Sequence, residues 1–240
     1  MPYALCDNRI PKKCIDALCN EGFEVITLPS VKSLPAALAS HTDMLMFCGK
    51  GKIITAEEYR ASNSDLFSRI ERFLLGVKIE YTDDRFSSEY PCDAIFNALQ
   101  IEELLFAKTD TCSKSLLGYA EELGLKVIPV KQGYPACTVL SFGRHAVTAD
   151  PGLEKTLKEN GISVTLISNT EKILLPPYSY GFIGGASGVY ENKVYFLGNL
   201  YAHPDAKKIE NAISEAGYKV ISLDPDAESL LDLGGIKFFD

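Results

Sequence analysis

The fold is decided by a motif that occurs five times, a glycine followed by a short stretch rich in β-branched residues: Gly22-Phe-Glu-Val-Ile, Gly76-Val-Lys-Ile-Glu, Gly124-Leu-Lys-Val-Ile, Gly161-Ile-Ser-Val-Thr and Gly217-Tyr-Lys-Val-Ile. Each glycine follows an amphipathic segment, at the place where a helix commonly ends on a left-handed residue that favours glycine. Each stretch after the glycine alternates apolar and polar residues, which is typical of a half-buried strand. The motif therefore predicts five helix-to-strand connections spread through the chain.

The segments before these glycines predict five amphipathic helices, because their apolar residues recur at helical spacing on one face. The helices are expected over residues 11–21, 64–75 and 113–123, and from the pairs Asp150-Pro151 and His203-Pro204 onward. Aspartate followed by proline is a common helix start, since the side chain caps the helix and proline fits its first turn.

Pairs of short strands precede three of the helices, and they complete a repeating unit. We expect hairpins that join residues 93–99 with 104–107, 137–141 with 145–148, and 181–185 with 194–197. The unit is then strand, strand, helix, strand. Gly235-Ile-Lys-Phe-Phe near the C-terminus would join Tyr3-Ala-Leu-Cys near the N-terminus and complete the first unit. The predicted fold is α/β: a five-bladed propeller of ββαβ units with pseudo-fivefold symmetry, in a single domain over residues 1–240.

Composition limits the function classes. The 240 residues are 46% apolar and 23% charged, with a formal net charge of −8, which is the balance of a soluble globular protein rather than of a disordered chain or a coiled coil. An acidic chain repels phosphate backbones, so we expect no nucleic-acid binding driven by bulk charge. Charged residues interrupt the first twenty positions, and no apolar run is long enough for a bilayer. We therefore expect a cytoplasmic protein without a membrane partner.

The cysteines and histidines favour neither a disulfide framework nor a metal centre. Seven cysteines are an odd number, and no pair has the spacing Cys-x-x-Cys. The three histidines, His41, His145 and His203, lie far apart in the sequence. We expect reduced thiols, no metal site and no cofactor.

A ring of five ββαβ units resembles the pentein fold, the five-bladed α/β propeller of the guanidine-modifying enzymes. These enzymes include arginine deiminases, dimethylarginine hydrolases, agmatine deiminases and glycine amidinotransferases, and the ribosome anti-association factors use the same fold without catalysis. Three motifs carry the resemblance: Tyr90-Pro-Cys-Asp93, Gly184-Gly185 and Gly234-Gly235. The run from Gln132 to Gly188 looks more similar to an uncharacterised bacterial family of this fold than to a named enzyme.

Two positions depart from the enzyme pattern. The resemblance places the nucleophilic cysteine about three residues after the last glycine pair, where this chain has Lys237 and Phe238. It places a histidine just after the middle pair, where this chain has Ala186 and Ser187. The resemblance therefore implies a pentein-like protein that lacks the usual guanidine-hydrolase chemistry.

Our preferred hypothesis is that the protein binds a small polar or cationic ligand at the opening of the ring. The candidate ligand-binding residues are Asp7, Asp93, Gln132, Tyr180 and Gly185. Carboxylates there would hold an ammonium or guanidinium group. The alternatives are that Asp7 caps the helix near Pro11, that Asp93 caps a turn, and that the glycines only permit close backbone approach.

Two other hypotheses stay open. In one, Cys137 is a relocated nucleophile with His145 or His203 as its base; otherwise Cys137 is a small buried hydrophobe, His203 caps a helix and His145 is exposed. In the other, the chain is a scaffold that binds a macromolecular partner, as the anti-association factors do. The sequence predicts neither the ligand nor the oligomeric state.

Overall fold

A computed structural model describes residues 1–240, in which short strands and short helices alternate along the chain. The helices are α1 Lys12–Asn20, α2 Thr42–Leu45, α3 Glu57–Ser62, α4 Ser64–Phe73, α5 Lys114–Glu122, α6 Pro135–Thr138, α7 Pro151–Glu159 and α8 Ala206–Glu215. The strands are β1 Tyr3–Asp7, β2 Glu24–Leu28, β3 Met46–Gly49, β4 Lys52–Ala56, β5 Lys78–Thr82, β6 Leu99–Ile101, β7 Leu104–Ala107, β8 Lys126–Pro129, β9 Val139–Phe142, β10 His145–Thr148, β11 Ser163–Leu166, β12 Ile173–Leu174, β13 Ser187–Tyr190, β14 Lys193–Phe196, β15 Lys219–Ser222, β16 Leu230–Leu231 and β17 Lys237–Phe239. Single 3₁₀ turns cover Cys92–Ala94 and Leu200–Ala202.

Five three-stranded sheets share one strand order: β17-β1-β2, β3-β4-β5, β6-β7-β8, β9-β10-β11 and β13-β14-β15. In every sheet the middle strand pairs antiparallel with the first strand and parallel with the third, which the chain reaches through helical residues. The predicted α/β class is confirmed. A further two-stranded sheet pairs β12 with β16.

The two ends of the chain meet in one sheet, as the sequence predicts. Strand β17 runs antiparallel to β1, with Tyr3 opposite Phe239 and Leu5 opposite Lys237. Phe238 packs against the rings of Phe23 and Tyr195, at centroid distances of 4.7 and 5.1 Å. The C-terminal strand therefore supplies both hydrogen bonds and packing to the first sheet.

The five motif glycines all adopt the left-handed conformation expected of helix-ending residues. Their φ angles are +95° at Gly22, +99° at Gly76, +64° at Gly124, +79° at Gly161 and +85° at Gly217. A side chain at such a φ costs free energy because its Cβ crowds the backbone, whereas glycine has no Cβ. This requirement explains why the same residue recurs between each of these helices and its strand.

The predicted helix starts are correct at some positions and shifted at others. Asp150 caps α7, since its Oδ1 accepts hydrogen bonds from the main-chain N–H groups of Gly152 and Leu153. Pro11 lies one residue before α1, and α8 begins at Ala206 rather than at His203. A 3₁₀ turn, Leu200–Ala202, occupies the chain just before His203.

Three predicted hairpin strands are wrong in part, because the segments before the first strands are turns and short helices. Residues 93 and 94 lie in the 3₁₀ turn Cys92–Ala94, and β6 begins only at Leu99. Residues 181–185 are not a strand, since 183–186 form a turn before β13, where a Cβ on Gly184 would lie 2.4 Å from the carbonyl oxygen of Ala136. Cys137 lies in α6, just before β9, and not in the strand itself.

Apolar side chains on the helices and strands form four buried clusters, the largest with 29 residues. None of the helices combines the length and the apolar character needed to cross a bilayer. What matters for function is the set of turns before the first strands, because these turns carry the buried polar side chains.

Candidate functional site

A group of buried polar side chains comes from segments that lie before the first strands of the sheets. His41 and Asp43 flank the start of α2, Asn97 precedes β6, Cys137 lies in α6, and Asp232 lies between β16 and β17. All five are at most 2% exposed to solvent. Side chains far apart in sequence thus share one small volume, because each segment enters it at a similar point of its sheet.

Cys137 lies between an acid and an amide. Its Sγ is 2.7 Å from Oδ2 of Asp43, to which it donates a hydrogen bond. The Asn97 side chain donates to the same Sγ at 3.4 Å and accepts from the main-chain N–H of Ala136 at 2.8 Å. Asn97 therefore fixes both the thiol and the start of the helix that carries it.

His41 and Asp232 lie beside this thiol. A ring nitrogen of His41, a carboxylate oxygen of Asp232 and the Sγ of Cys137 all lie within 4.8 Å of one another. His41 Nδ1 is 3.8 Å from Asp232 Oδ1. The main-chain N–H groups of Phe182 and Gly234 donate to the Asp232 carboxylate at 2.8 and 3.2 Å, which orients it.

Glycines make the room that these side chains occupy. A Cβ on Gly185 would lie 2.0 Å from Asp232 Oδ1, and a Cβ on Gly234 would lie 2.5 Å from the Cβ of His41. Both contacts are shorter than van der Waals packing allows. The two glycine pairs that the sequence singles out therefore let the backbone close around Asp232 and His41.

Burial shifts the protonation equilibria of the group toward uncharged forms. Burial raises the pKa of Asp43 to about 6 and that of Asp232 to about 7, against the smaller opposing effects of nearby cations and hydrogen bonds. Burial lowers the pKa of His41 to about 3. Burial, together with the adjacent Asp43, also raises the pKa of the Cys137 thiol well above its ordinary value.

The group opens into a pocket of about 310 Å³, whose floor is formed by Cys137 and Asp232. The walls are mainly aromatic and aliphatic: Leu38, Tyr134, Leu175, Tyr178, Tyr180 and Phe182. Tyr178 and Tyr180 are 51% and 38% exposed, so they form the mouth. A cavity with an apolar wall and a few polar groups at its base is the usual form of a small-molecule site.

Three candidate residues from the sequence lie at this site. Cys137 forms part of the floor and Tyr180 part of the mouth, and Gly185 packs against Asp232. Asp7 and Asp93 are buried nearby in their own contacts. Asp7 pairs with Arg9 and lies close enough to His41 to affect its pKa, so it does not cap α1.

Asp93 does not line the pocket itself but contacts a residue that does. The hydroxyl of Tyr134, a pocket wall residue, donates to Asp93 Oδ2 at 2.5 Å. Burial raises the pKa of Asp93, and the hydrogen bond from Tyr134 opposes that rise. Asp93 thus holds one wall of the pocket in place.

The remaining candidates lie in other surroundings. Gln132 donates to Asp150 Oδ2 at 3.1 Å and lines a different cavity. His145 stacks on Phe142 at the start of β10, and His203 Nδ1 accepts the main-chain N–H of Asp205. The histidine that the structure brings to Cys137 is instead His41.

Sequence reasoning missed His41, Asp43, Asn97 and Asp232 as site residues. A usable signal was present for Asp232, which stands two residues before the pair Gly234-Gly235. His41 and Asp43 precede Met46, the start of a strand whose hairpin the sequence analysis did not identify. The four residues share one sequence feature: each is a polar residue a few positions before the first strand of a sheet.

Three solved structures illustrate which proteins this chain resembles. One is a mutant of the Pseudomonas aeruginosa dimethylarginine dimethylaminohydrolase in complex with citrulline, with 13% identity, coverage of 93% of this chain and 92% of that one, and a TM-score of 0.55. The C. jejuni agmatine deiminase has 10% identity, coverage of 92% of this chain and 87% of that one, and a TM-score of 0.55. The N-terminal domain of ArgZ, a cyanobacterial arginine dihydrolase, bound to its product, has 11% identity, coverage of 93% and 91%, and a TM-score of 0.55.

These similarities establish the pentein fold, as the sequence motifs predict. At such low identity they establish the fold alone. A search among curated proteins gave no match. A family model described as a family of unknown function, DUF6873, matches residues 5–237, and the chain therefore belongs to that family.

Proposed function

We propose that the chain binds a small organic cation of the guanidinium class in the pocket above Asp232. The observation that carries the proposal is the Asp232 carboxylate itself, which forms the pocket floor and has no lysine or arginine as an ion-pair partner. Asp43, which lies behind Cys137 and accepts its thiol hydrogen bond, likewise has no lysine or arginine as an ion-pair partner. Without a directly paired cation a buried carboxylate is costly to ionise, so the site favours a positively charged ligand.

The walls suit the same ligand class. Tyr134, Tyr178, Tyr180 and Phe182 surround the path to the floor. Aromatic faces attract cations and pack well against the planar guanidinium group. The names of two similar structures, dimethylarginine dimethylaminohydrolase and agmatine deiminase, refer to guanidine compounds, which supports but does not carry the proposal.

We also propose that the five sheets close into a ring, so that the pocket lies at one opening of its axis. Two observations support this arrangement. A second cavity of about 530 Å³ is lined by residues of the first strand of every sheet, among them Cys48, Leu99, Ser141, Ser187 and Lys237. In addition, β13 contacts both β9 and β17, the first strands of two other sheets.

A ligand pair that differs only in charge tests the binding proposal. L-arginine and agmatine should raise the melting temperature of the protein in a concentration-dependent manner, whereas L-citrulline, the neutral counterpart of L-arginine, should not. Asp232→Asn should weaken the binding about tenfold or more, because it removes the charged acceptor. Asp226→Asn, at a position with an 88% exposed side chain, should leave binding unchanged.

Two results would contradict the binding proposal. Equal stabilisation by L-citrulline would remove the requirement for a cation. No stabilisation by any guanidinium compound would remove the proposal.

Turnover of the bound cation is a second candidate function, and it is favoured by the position of Cys137 on the floor beside His41 and Asp43. The thiol proton would pass to Asp43, whose Oδ2 accepts the thiol hydrogen bond, while sulfur forms a bond to the guanidinium carbon. The C–N bond would then break, the amine would leave with the proton, and water would release the remaining group. Asp43 takes the role of base that the sequence analysis gave to His145 or His203.

A matched pair of variants tests turnover. Cys137→Ser should abolish any release of ammonia or amine from agmatine or L-arginine. Cys48→Ser, which replaces a thiol outside the group, should retain it. Release that survives Cys137→Ser would exclude this mechanism.

A further inference from the structure

Both ring nitrogens of His41 are unpaired, which an organic cation in the pocket does not explain. Its side chain is completely buried, and neither Nδ1 nor Nε2 has a hydrogen-bond partner. A neutral imidazole has one donor and one acceptor nitrogen, and leaving both unpaired in a protein interior costs free energy. Buried polar groups nearly always have partners, so these two nitrogens indicate a ligand.

The surroundings of His41 contain the other donors that a metal ion requires. One ring nitrogen of His41, Sγ of Cys137 and a carboxylate oxygen of Asp232 lie within 4.8 Å of one another, and all three residues are buried. The separation of His41 Nδ1 from Asp232 Oδ1 is 3.8 Å. Ligand atoms around tetrahedral zinc are roughly 3.3–3.7 Å apart, given bond lengths of roughly 2.0–2.3 Å. A contraction of at most about 1.5 Å in any pair would bring the three donors to those separations.

We propose that His41, Cys137 and Asp232 form a site for a zinc-class divalent metal ion, with a fourth coordination position that faces the pocket. Nitrogen, sulfur and oxygen donors together suit zinc, whereas magnesium and calcium prefer oxygen alone. Cys137 and Asp232 line the pocket floor, so the open position is directed where a ligand enters. The three residues come from separate turns, which is why the spacing of cysteines and histidines along the chain does not predict the site.

Binding of the metal has a defined proton balance. When sulfur bonds to the metal, the Cys137 thiol loses its proton, and Asp43 Oδ2 at 2.7 Å is the first acceptor available. Because Asp232 then coordinates the metal, it no longer receives a guanidinium group. The metal and the organic cation therefore exclude each other, and the metal site does not depend on the proposed function.

Metal uptake by the whole protein tests the site directly. The metal-stripped protein is dialysed against Zn²⁺ or Co²⁺, and the bound metal is counted. The wild type should take up one equivalent of either ion, and the Co²⁺ form should show the absorption of a tetrahedral site with a thiolate-to-metal charge-transfer band. Failure to take up a stoichiometric ion, or a Co²⁺ form without the thiolate band, would overturn the proposal.

Matched variants locate the ion. His41→Asn and Cys137→Ser should each weaken metal binding at least about tenfold. His203→Asn and Cys48→Ser, which replace a buried histidine and a thiol outside the group, should leave it unchanged. Loss of binding in the two controls, or its retention in His41→Asn, would overturn the assignment.

An agmatine titration of the metal-stripped and Zn²⁺-loaded wild type separates the two proposals. Agmatine binding only to the stripped form supports both of them. Agmatine binding without any metal uptake overturns the metal site alone. Metal uptake without agmatine binding to the stripped form supports the metal site and overturns the binding of an organic cation.

Discussion

At the scale of single residues, the site depends on glycines as much as on the polar side chains. Asp232 keeps its position because Gly185 has no Cβ, and the main-chain N–H of Gly185 donates to the carbonyl of Cys137 at 2.8 Å. One glycine therefore positions both residues of the pocket floor.

Gly185→Ala should disturb the floor and the stability together. The added methyl group would lie 2.0 Å from Asp232 Oδ1, so the carboxylate or the backbone must move. We expect a loss of roughly 1–3 kcal/mol in the free energy of unfolding, measured by denaturant titration, and weaker agmatine binding. Gly118→Ala is the control: Gly118 lies inside α5 with open space around it, so alanine should stabilise by about 0.5–1 kcal/mol. Normal agmatine binding in Gly185→Ala would contradict the assigned floor.

Tyr134→Phe should make stability depend more strongly on pH. Burial raises the pKa of Asp93 in the folded protein, and the Tyr134 hydroxyl counteracts this rise, so its loss raises that pKa further. A carboxyl group with a raised folded pKa destabilises the fold when it is ionised, at pH values above the unfolded pKa of about 4. The variant should therefore lose about 1–3 kcal/mol at pH 7 and less at pH 4. Equal losses at both pH values, measured by urea titration, would exclude this role for Asp93.

Single residues also mark where the sequence was informative about the site and where it was not. Cys137 could be selected from the sequence because it follows Tyr134-Pro135 at a predicted strand start, and Gly185 because it belongs to a glycine pair. His41 offered no local signal, because its significance comes from Cys137 and Asp232, each more than ninety residues away in the chain. Contacts of that range depend on how the sheets are placed, which local propensities do not encode.

At the scale of elements, each helix-to-strand connection depends on a left-handed glycine. These connections could be predicted from the sequence because the signal is local: an amphipathic stripe, a glycine and an alternating strand. The turns before the first strands could not, because their shape is set by packing, as at Gly184 against the backbone of Ala136 and Cys137.

Gly217→Ala should destabilise the fold without affecting the pocket. Gly217 has a φ of +85° and nothing within 4 Å of an added Cβ, so the cost is conformational, about 1–2 kcal/mol. Gly217→Asn is the control, because asparagine tolerates this conformation better than alanine, and it should recover part of the loss. Thermal unfolding monitored by circular dichroism measures both variants. An alanine variant as stable as the wild type would show that the cap is not required.

At the scale of the whole molecule, the pairing of β1 with β17 joins the two ends of the chain in one sheet. The resemblance to the pentein enzymes places their nucleophile near Phe238, yet here this ring packs among Phe23, Tyr190 and Tyr195. The buried polar side chains of this chain, among them His41, Cys137 and Asp232, instead come from the segments before the first strands. The single domain over residues 1–240 stays a prediction.

Phe238→Ala should destabilise the entire chain. The loss of a large half-buried ring from an aromatic cluster is expected to cost about 2–4 kcal/mol, and unfolding should remain a single transition if residues 1–240 act as one domain. Leu75→Ala, at a residue that is 82% exposed, should change stability by less than about 0.5 kcal/mol. Two separate transitions in calorimetry would contradict the single domain.

The central claim, that an organic cation binds at Asp232, is tested most directly by a crystal structure of the metal-free protein with agmatine. The account predicts a guanidinium group within hydrogen-bond distance of the Asp232 carboxylate, between the rings of Tyr178 and Tyr180 and above the thiol of Cys137. Agmatine bound elsewhere, or a pocket that contains only water at saturating agmatine, would contradict it.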